Sequence, residues 1–148
     1  MEGGLPILLV EDSQSDALLI QHAFRKAQIR NSFIHVANGS DGLKLLARWA
    51  ADGRPPPAFV ILDLALPDLS GYEVLRWIRK EPAYRRLPVV IVTGSNESLD
   101  HPATHSLGAT AFYRKALCFE DLYGMIQTIG GYWLMQSSSH SIGSNPLL

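Results

Sequence analysis

The sequence predicts an α/β domain built as a doubly wound, five-stranded parallel sheet with helices on both faces. Three observations carry that expectation. Five short apolar runs, Ile7 to Val10, Phe33 to Ala37, Phe59 to Leu62, Val89 to Val92 and Ala111 to Tyr113, alternate with segments of helical period. Each strand-plus-helix unit takes about 25 residues, and right-handed crossovers turn that repeated order into a parallel sheet between two helical layers. The 148 residues are 47% apolar and 18% charged, enough hydrophobic material for one core and too little charge for disorder. A domain of this size buries roughly 70% of its unfolded-chain surface and needs no disulfide or structural metal to fold.

The first, third and fourth runs are blocks of Leu, Ile, Val and Phe without polar alternation, the pattern of strands covered on both faces, and they are expected at the sheet centre. Phe33 to Ala37 carries His35 in its middle and Ala111-Phe112-Tyr113 runs straight into Arg114, so these two belong on the flanks. After the first strand, Ala17, Ile20, Phe24 and Ala27 fall at spacings of three and four, with Ser13, Ser15 or Asp16 available as a cap. Asn38-Gly39-Ser40 opens a second helix whose apolar face is read as Leu43, Leu46, Ala47 and Ala50, closed by Asp52-Gly53 and Pro55-Pro56-Pro57. A third helix starts near Ser70-Gly71, turns Val74, Leu75 and Ile78 inward, and stops at Pro82. The fourth, Glu97 to Leu107, is the poorest, because Pro102 interrupts a stripe limited to Leu99, Ala103 and Leu107. The fifth has Glu120 and Asp121 near its start and Leu122, Met125, Ile126 and Ile129 along one side. Beyond Gly130-Gly131 come Tyr132-Trp133-Leu134-Met135 and a Ser-rich stretch, Gln136 to Ser144, expected to be a flexible tail. Two placements are open for the aromatic pair, on its own domain or against a second copy in a homodimer.

Charge and composition narrow the function. Thirteen Lys plus Arg against fourteen Asp plus Glu leave a formal charge of −1, with no basic run that would neutralise a nucleic-acid backbone. Cys118 is the single cysteine, so no intrachain disulfide can form and a reducing, cytoplasmic setting is expected. No apolar run approaches the roughly 18 residues of a membrane span, and Met1-Glu2-Gly3-Gly4 lacks the basic lead of a signal peptide. The chain ends about 18 residues after the fifth helix, too few for a folded DNA-binding module, so output is expected through protein contacts.

Doubly wound sheets carry their chemistry at the carboxyl ends of the strands, near the point where strand order reverses. The first strand here ends in Glu11-Asp12, the third in Asp63 and the fourth in Thr93, and the fifth leads into Lys115. Three carboxylates within about 5 Å repel one another by roughly 3 kcal/mol per pair at an effective dielectric of 20, a cost that a cation removes. Magnesium suits such a site, because it takes oxygen ligands octahedrally, keeps several waters and works with one or two carboxylates beside a phosphate. Lys115 and Thr93 would supply charge and a hydrogen bond to a phosphoryl group on Asp63. Taken singly, these carboxylates would be ordinary helix caps or loop groups, Thr93 a strand-ending residue and Phe112 a core aromatic.

The segments Ile7-Leu8-Leu9-Val10-Glu11-Asp12, Leu62-Asp63-Leu64-Ala65-Leu66-Pro67-Asp68-Leu69-Ser70-Gly71, Thr93-Gly94 and Lys115 together resemble the receiver domains of response regulators. The resemblance spans residues 5–130, leaving residues 131–148 as a C-terminal extension, and it implies the flavodoxin-like receiver fold. Asp16-Ala17-Leu18-Leu19-Ile20 and Tyr132-Trp133-Leu134 are similar to the small receivers that partner bacterial phytochrome histidine kinases. By this resemblance Asp63 is the phosphoacceptor for a sensor histidine kinase, and Mg²⁺ binds Asp12 and Asp63 directly, Glu11 through water and the main-chain carbonyl of Ala65. Lys115 pairs with the acceptor and then with its phosphoryl group, and Thr93 moves to hydrogen-bond that group. Phe112 is the switch aromatic whose rotation remodels the face of the fourth helix, fifth strand and fifth helix, where partners or a second copy dock.

Two departures stand out. The family follows its lysine with proline in a cis peptide, where this chain has Lys115-Ala116, and a cis bond before a non-proline residue costs about 2.5 to 4 kcal/mol. Pro102 lies within the fourth helix beside His101 and His105, which stand four apart but lack a third ligand and are read as surface histidines. Asp68 and Ser70 are read as part of a turn capping the third helix, shaped by Pro67. The function expected is a free-standing phosphorylation switch in a two-component pathway that catalyses its own phosphorylation and its own slow dephosphorylation. The alternatives are a phosphorylation-independent interaction module of the same fold and a phosphorelay intermediate. An α/β enzyme or flavin carrier is disfavoured, since Glu11-Asp12-Ser13-Gln14 stands where a glycine-rich phosphate loop would follow the first strand.

Overall fold

The computed structural model of the chain describes residues 4–94, 108–114, 123–124 and 126–128, with main chain alone at Thr93, Ala111, Phe112 and Arg114. Five parallel strands, β1 (Ile7–Val10), β2 (Phe33–Val36), β3 (Phe59–Leu62), β4 (Val89–Thr93) and β5 (Ala111–Arg114), form one sheet in the order β2-β1-β3-β4-β5. The three uninterrupted apolar runs are its centre, and the runs carrying His35 and Arg114 are its edges. Helices α1 (Gln14–Lys26), α2 (Gly39–Ala51) and α3 (Gly71–Lys80) follow β1, β2 and β3.

Why the central strands tolerate no polar residue follows from where alternate side chains go. Ile7, Leu9, Phe59, Ile61, Val90 and Val92 point to one face, where Ala17, Ile20, Ala23 and Phe24 of α1 cover them together with Ile126 of the helical residues 126–128. Leu8, Val10, Val60, Leu62, Val89 and Ile91 point to the other, under Leu46 of α2 and Val74, Leu75 and Ile78 of α3. Each strand is therefore buried twice over.

The helix ends use local chemistry. Ser13 caps α1 by accepting from the Asp16 N–H, Asn38 caps α2 by accepting from the Asp41 N–H, and Ser70 forms a reciprocal capping box with Glu73 on α3. Gly53 sits at φ +73°, and the Arg54 and Gly53 N–H groups return to the Trp49 and Ala50 carbonyls, closing α2 in a Schellman turn.

The face of α2 departs from the sequence reading. Gly39, Gly42, Leu46 and Trp49 are buried, Leu43 and Ala50 are half-buried, and Ala47 is exposed. A Cβ on Gly42 would lie 3.4 Å from Val10 and one on Gly39 3.0 Å from Leu69 and Val74, so α2 approaches the sheet at Gly42 and the start of α3 at Gly39, and is rotated away from Ala47. A short 3₁₀ turn, Pro82–Tyr84, follows α3, and the buried Tyr84 hydroxyl donates to the Leu46 carbonyl at 2.6 Å. Among the described residues, no helix is long and apolar enough to cross a membrane. The fourth helix expected at 97–107, with His101, Pro102 and His105, lies outside the described residues, as do Lys115, Ala116, Cys118 and residues 129–148.

Candidate functional site

The strand order reverses between β1 and β3: β1 leads outward to β2 on one side, and β3 leads to β4 and β5 on the other. Ligands of doubly wound sheets bind at such a point. Val10 and Leu62 are register partners, so the next residues, Glu11 and Asp63, leave the sheet side by side. Main-chain bonds extend the ladders one step, from the Glu11 N–H to Val36 O at 3.0 Å and from the Asp63 N–H to Val10 O at 3.1 Å.

One carboxylate oxygen each from Glu11, Asp12 and Asp63 lies within 4.8 Å of the others. Glu11 is 1% exposed and Asp63 4%, whereas Asp12 is exposed. At that separation and an effective dielectric of 20, the two buried groups alone repel by about 3 kcal/mol when both are ionised. Fixed donors offset part of this: the Ser13 N–H donates to Glu11 Oε2 at 3.1 Å and the Ala65 N–H to Asp63 Oδ1 at 3.0 Å. Hard anionic oxygens converging in this way, two of them removed from water, are a donor set for a divalent cation.

The structure thus brings together the three carboxylates expected at the strand ends and places Ala65 at the first turn beyond Asp63. Thr93 ends β4, in register with Arg114 of β5, the residue before Lys115. The side chains of Thr93 and Phe112 and the whole of Lys115 lie outside what the structure describes.

Two residues near the site make contacts that the sequence does not announce. His35, half-buried on β2, donates from Nε2 to the Glu11 carbonyl at 2.7 Å and fixes the main chain where β1 ends. Asp68 reaches back to α2, and Ser70 alone fills the capping role assigned to both. Asp68 Oδ1 accepts from the Gly39 N–H and Oδ2 from the Ser40 N–H, both at 2.9 Å. Desolvation pushes the Asp68 carboxyl upward, but main-chain hydrogen bonds from Leu69, Ser40 and Gly39 outweigh it and hold the group below its usual value. At the base of the same loop, Gly71 donates to Leu64 O at 3.0 Å, and a Cβ there would lie 2.6 Å from the Asp63 carbonyl and 2.7 Å from Leu64 Cα. Only glycine allows that approach.

A parallel sheet of this order with an acidic cluster at its reversal defines a receiver. Residues 7–127 match the response regulator receiver domain, and the chain belongs to that family, the signal-receiving half of two-component systems. It is related to phytochrome response regulators. Response regulator Rcp1 of Synechocystis sp. is 34% identical over 129 residues, 86% of this chain and 88% of that protein. The crystal structure of the Mn²⁺-bound form of Rcp1 superposes with a TM-score of 0.76, covering 88% of this chain and 94% of that one at 34% identity. The phosphorylated cyanobacterial phytochrome response regulator RcpA does so at 0.78, with the same coverage and 29% identity. The bacteriophytochrome response regulator AtBRR, 36% identical, superposes at 0.70 over 87% of this chain and 94% of its own.

Proposed function

We propose that this receiver takes a phosphoryl group on Asp63 from the phosphohistidine of a sensor histidine kinase. A carboxylate oxygen of Asp63 attacks phosphorus in line, the N–P bond breaks, and the histidine leaves as an aspartyl phosphate forms. The observation that carries this reading is the buried Asp63 at the sheet's reversal point with its oxygen within 4.8 Å of those of Glu11 and Asp12. Asp12 and Asp63 would hold Mg²⁺ directly, Glu11 through water, and the Ala65 carbonyl would complete the protein's share. When bound there, the ion supplies charge neutralisation to the transferring oxygens. Lys115 pairs with the acceptor carboxylate and then with its phosphoryl group, and Thr93 supplies a hydroxyl donor. Phe112 follows Thr93 and relays the change to the surface of the fourth helix, fifth strand and fifth helix.

The relatives named for phytochrome signalling support a bacteriophytochrome as the kinase, and the cytoplasm would be the setting. Residues 5–130 would be the receiver, with 131–148 an extension to it. Slow loss of the phosphoryl group to water would reset the switch.

Incubation with Mg²⁺ and acetyl phosphate, followed by intact mass measurement, tests the assignment. The native chain should gain about 80 Da, the gain should vanish with a chelator, and Asp63→Asn should gain nothing. An equal gain in Asp63→Asn, or none in the native chain, would overturn it.

A further inference from the structure

We propose that Asp68 is a positioning residue for the phosphorylation site: by clamping the tip of the loop after β3 onto the first turn of α2, it holds the Ala65 main chain in place for the cation. The inference rests on the reading of Glu11, Asp12, Asp63 and Ala65 as the metal site. Eight residues, 63–70, separate β3 from α3, and a loop of that length samples many conformations unless it is pinned. Its base is pinned where Gly71 donates to Leu64 O and packs directly on the Asp63 carbonyl. Its start is pinned by the Ala65 N–H on Asp63 Oδ1. Neither contact fixes the far end. There Asp68 spends both carboxylate oxygens on the N–H groups of Gly39 and Ser40, donors at the start of a helix that have no partner within it.

Packing makes the clamp tight. A Cβ on Gly39 would lie 3.0 Å from both Leu69 Cβ and Val74 Cγ2, so the loop and the start of α3 already touch the start of α2. Asn38 caps α2 through the Asp41 N–H, leaving the Gly39 and Ser40 N–H groups to Asp68. One helix N-terminus is thus served by two residues, one from its own strand-to-helix turn and one from the acceptor loop. Ala65 lies between the pinned base and this clamp. Residues that orient a metal's ligands typically change its affinity by about tenfold or more when removed.

Mg²⁺ titration by calorimetry of the native chain, Asp68→Asn and Asp68→Ala tests the proposal, beside amide hydrogen exchange of residues 64–70 without metal. Asp68→Ala should weaken Mg²⁺ binding about tenfold and speed exchange across the loop, while phosphorylation at saturating Mg²⁺ is retained. Asp68→Asn keeps one oxygen acceptor and should fall between it and the native chain. Affinity of Asp68→Ala equal to native, or unchanged loop exchange, would overturn the clamp. So would equal weakening by both variants, which would assign the effect to charge alone. A native chain that binds no Mg²⁺ would instead sink the metal site itself.

Discussion

The two acidic loops of the site reach the same place by different means. The connection after β1 is three residues, 11–13, and the one after β3 is eight, 63–70. In the short loop, the Ser13 N–H folds back to Glu11 Oε2, and α1 begins at once under the Ser13 cap. Few conformations exist to be excluded, so strand and helix between them dictate where Glu11 and Asp12 lie. The long loop must be held from outside: Gly71 presses its base on the Asp63 carbonyl, and Asp68 ties its tip to α2. Ligand geometry on the first loop is set mostly within the loop, with the His35 ring bracing the Glu11 carbonyl from β2. On the second it depends on residues far along the chain.

The sharpest way to break that contrast is at the base of the long loop. In Gly71→Ala the new methyl carbon would meet main-chain atoms at 2.6 and 2.7 Å, and main chain cannot rotate away as a side chain can. A shift of Asp63 or of the start of α3 must follow, at about 3 kcal/mol in stability. Urea denaturation should show this loss, with Mg²⁺ affinity falling beside it. A loss under about 1 kcal/mol would mean that the loop base yields and that the acceptor is not held by close packing.

A milder probe acts on the short loop. Ser13→Ala removes the oxygen that accepts from the Asp16 N–H at 3.2 Å, a cap worth about 1 kcal/mol. The bond that fixes Glu11 comes from the Ser13 main chain and survives the substitution. Stability should therefore drop while Mg²⁺ affinity stays at the native value, whereas Asp68→Ala should weaken Mg²⁺ binding. Weaker Mg²⁺ binding in Ser13→Ala would show that the short loop also depends on its cap for ligand geometry.

The same contrast explains what could be read from the sequence. Strand positions and the choice of central strands are legible, because double burial leaves no room for polar residues in β1, in β3 and in β4 ahead of Thr93, while His35 and Arg114 mark the edges. Glu11, Asp12 and Asp63 were legible for the same reason, as the first carboxylates where an apolar strand stops. Asp68 was not. Its partners lie 28 and 29 residues away and are main-chain N–H groups that every residue but proline carries, so no side-chain pattern announces them. The face of α2 is not legible, because Gly39 and Gly42, where it approaches its neighbours closely, give no apolar signal; apolar spacing points to Ala47, which is exposed, and passes over Trp49, which is buried. Tyr84 was hidden behind Pro82, read only as a helix stop, although the turn it opens buries a phenol against Leu46.

The smallest expected effect concerns the charge on Asp68. Its carboxyl is held below the ordinary 3.8 by main-chain donors, so the folded protein binds that proton less readily than the unfolded chain. A lowered folded value means that the contribution is fully present above the unfolded value and disappears as acid titrates the group through the lower, folded one. The difference in unfolding free energy between the native chain and Asp68→Asn isolates it, because every other carboxylate titrates in both. That difference should be constant from neutral pH down to the ordinary carboxylate range and shrink only below it. Because Asp68 is exposed, added salt should narrow the part due to charge and leave the part due to the shared amide-to-oxygen bonds. A gap that stays the same through the acid range would show that the ionised form gains nothing from the α2 N–H groups. The long loop would then be held by packing and by hydrogen bonds that draw nothing from the charge on Asp68.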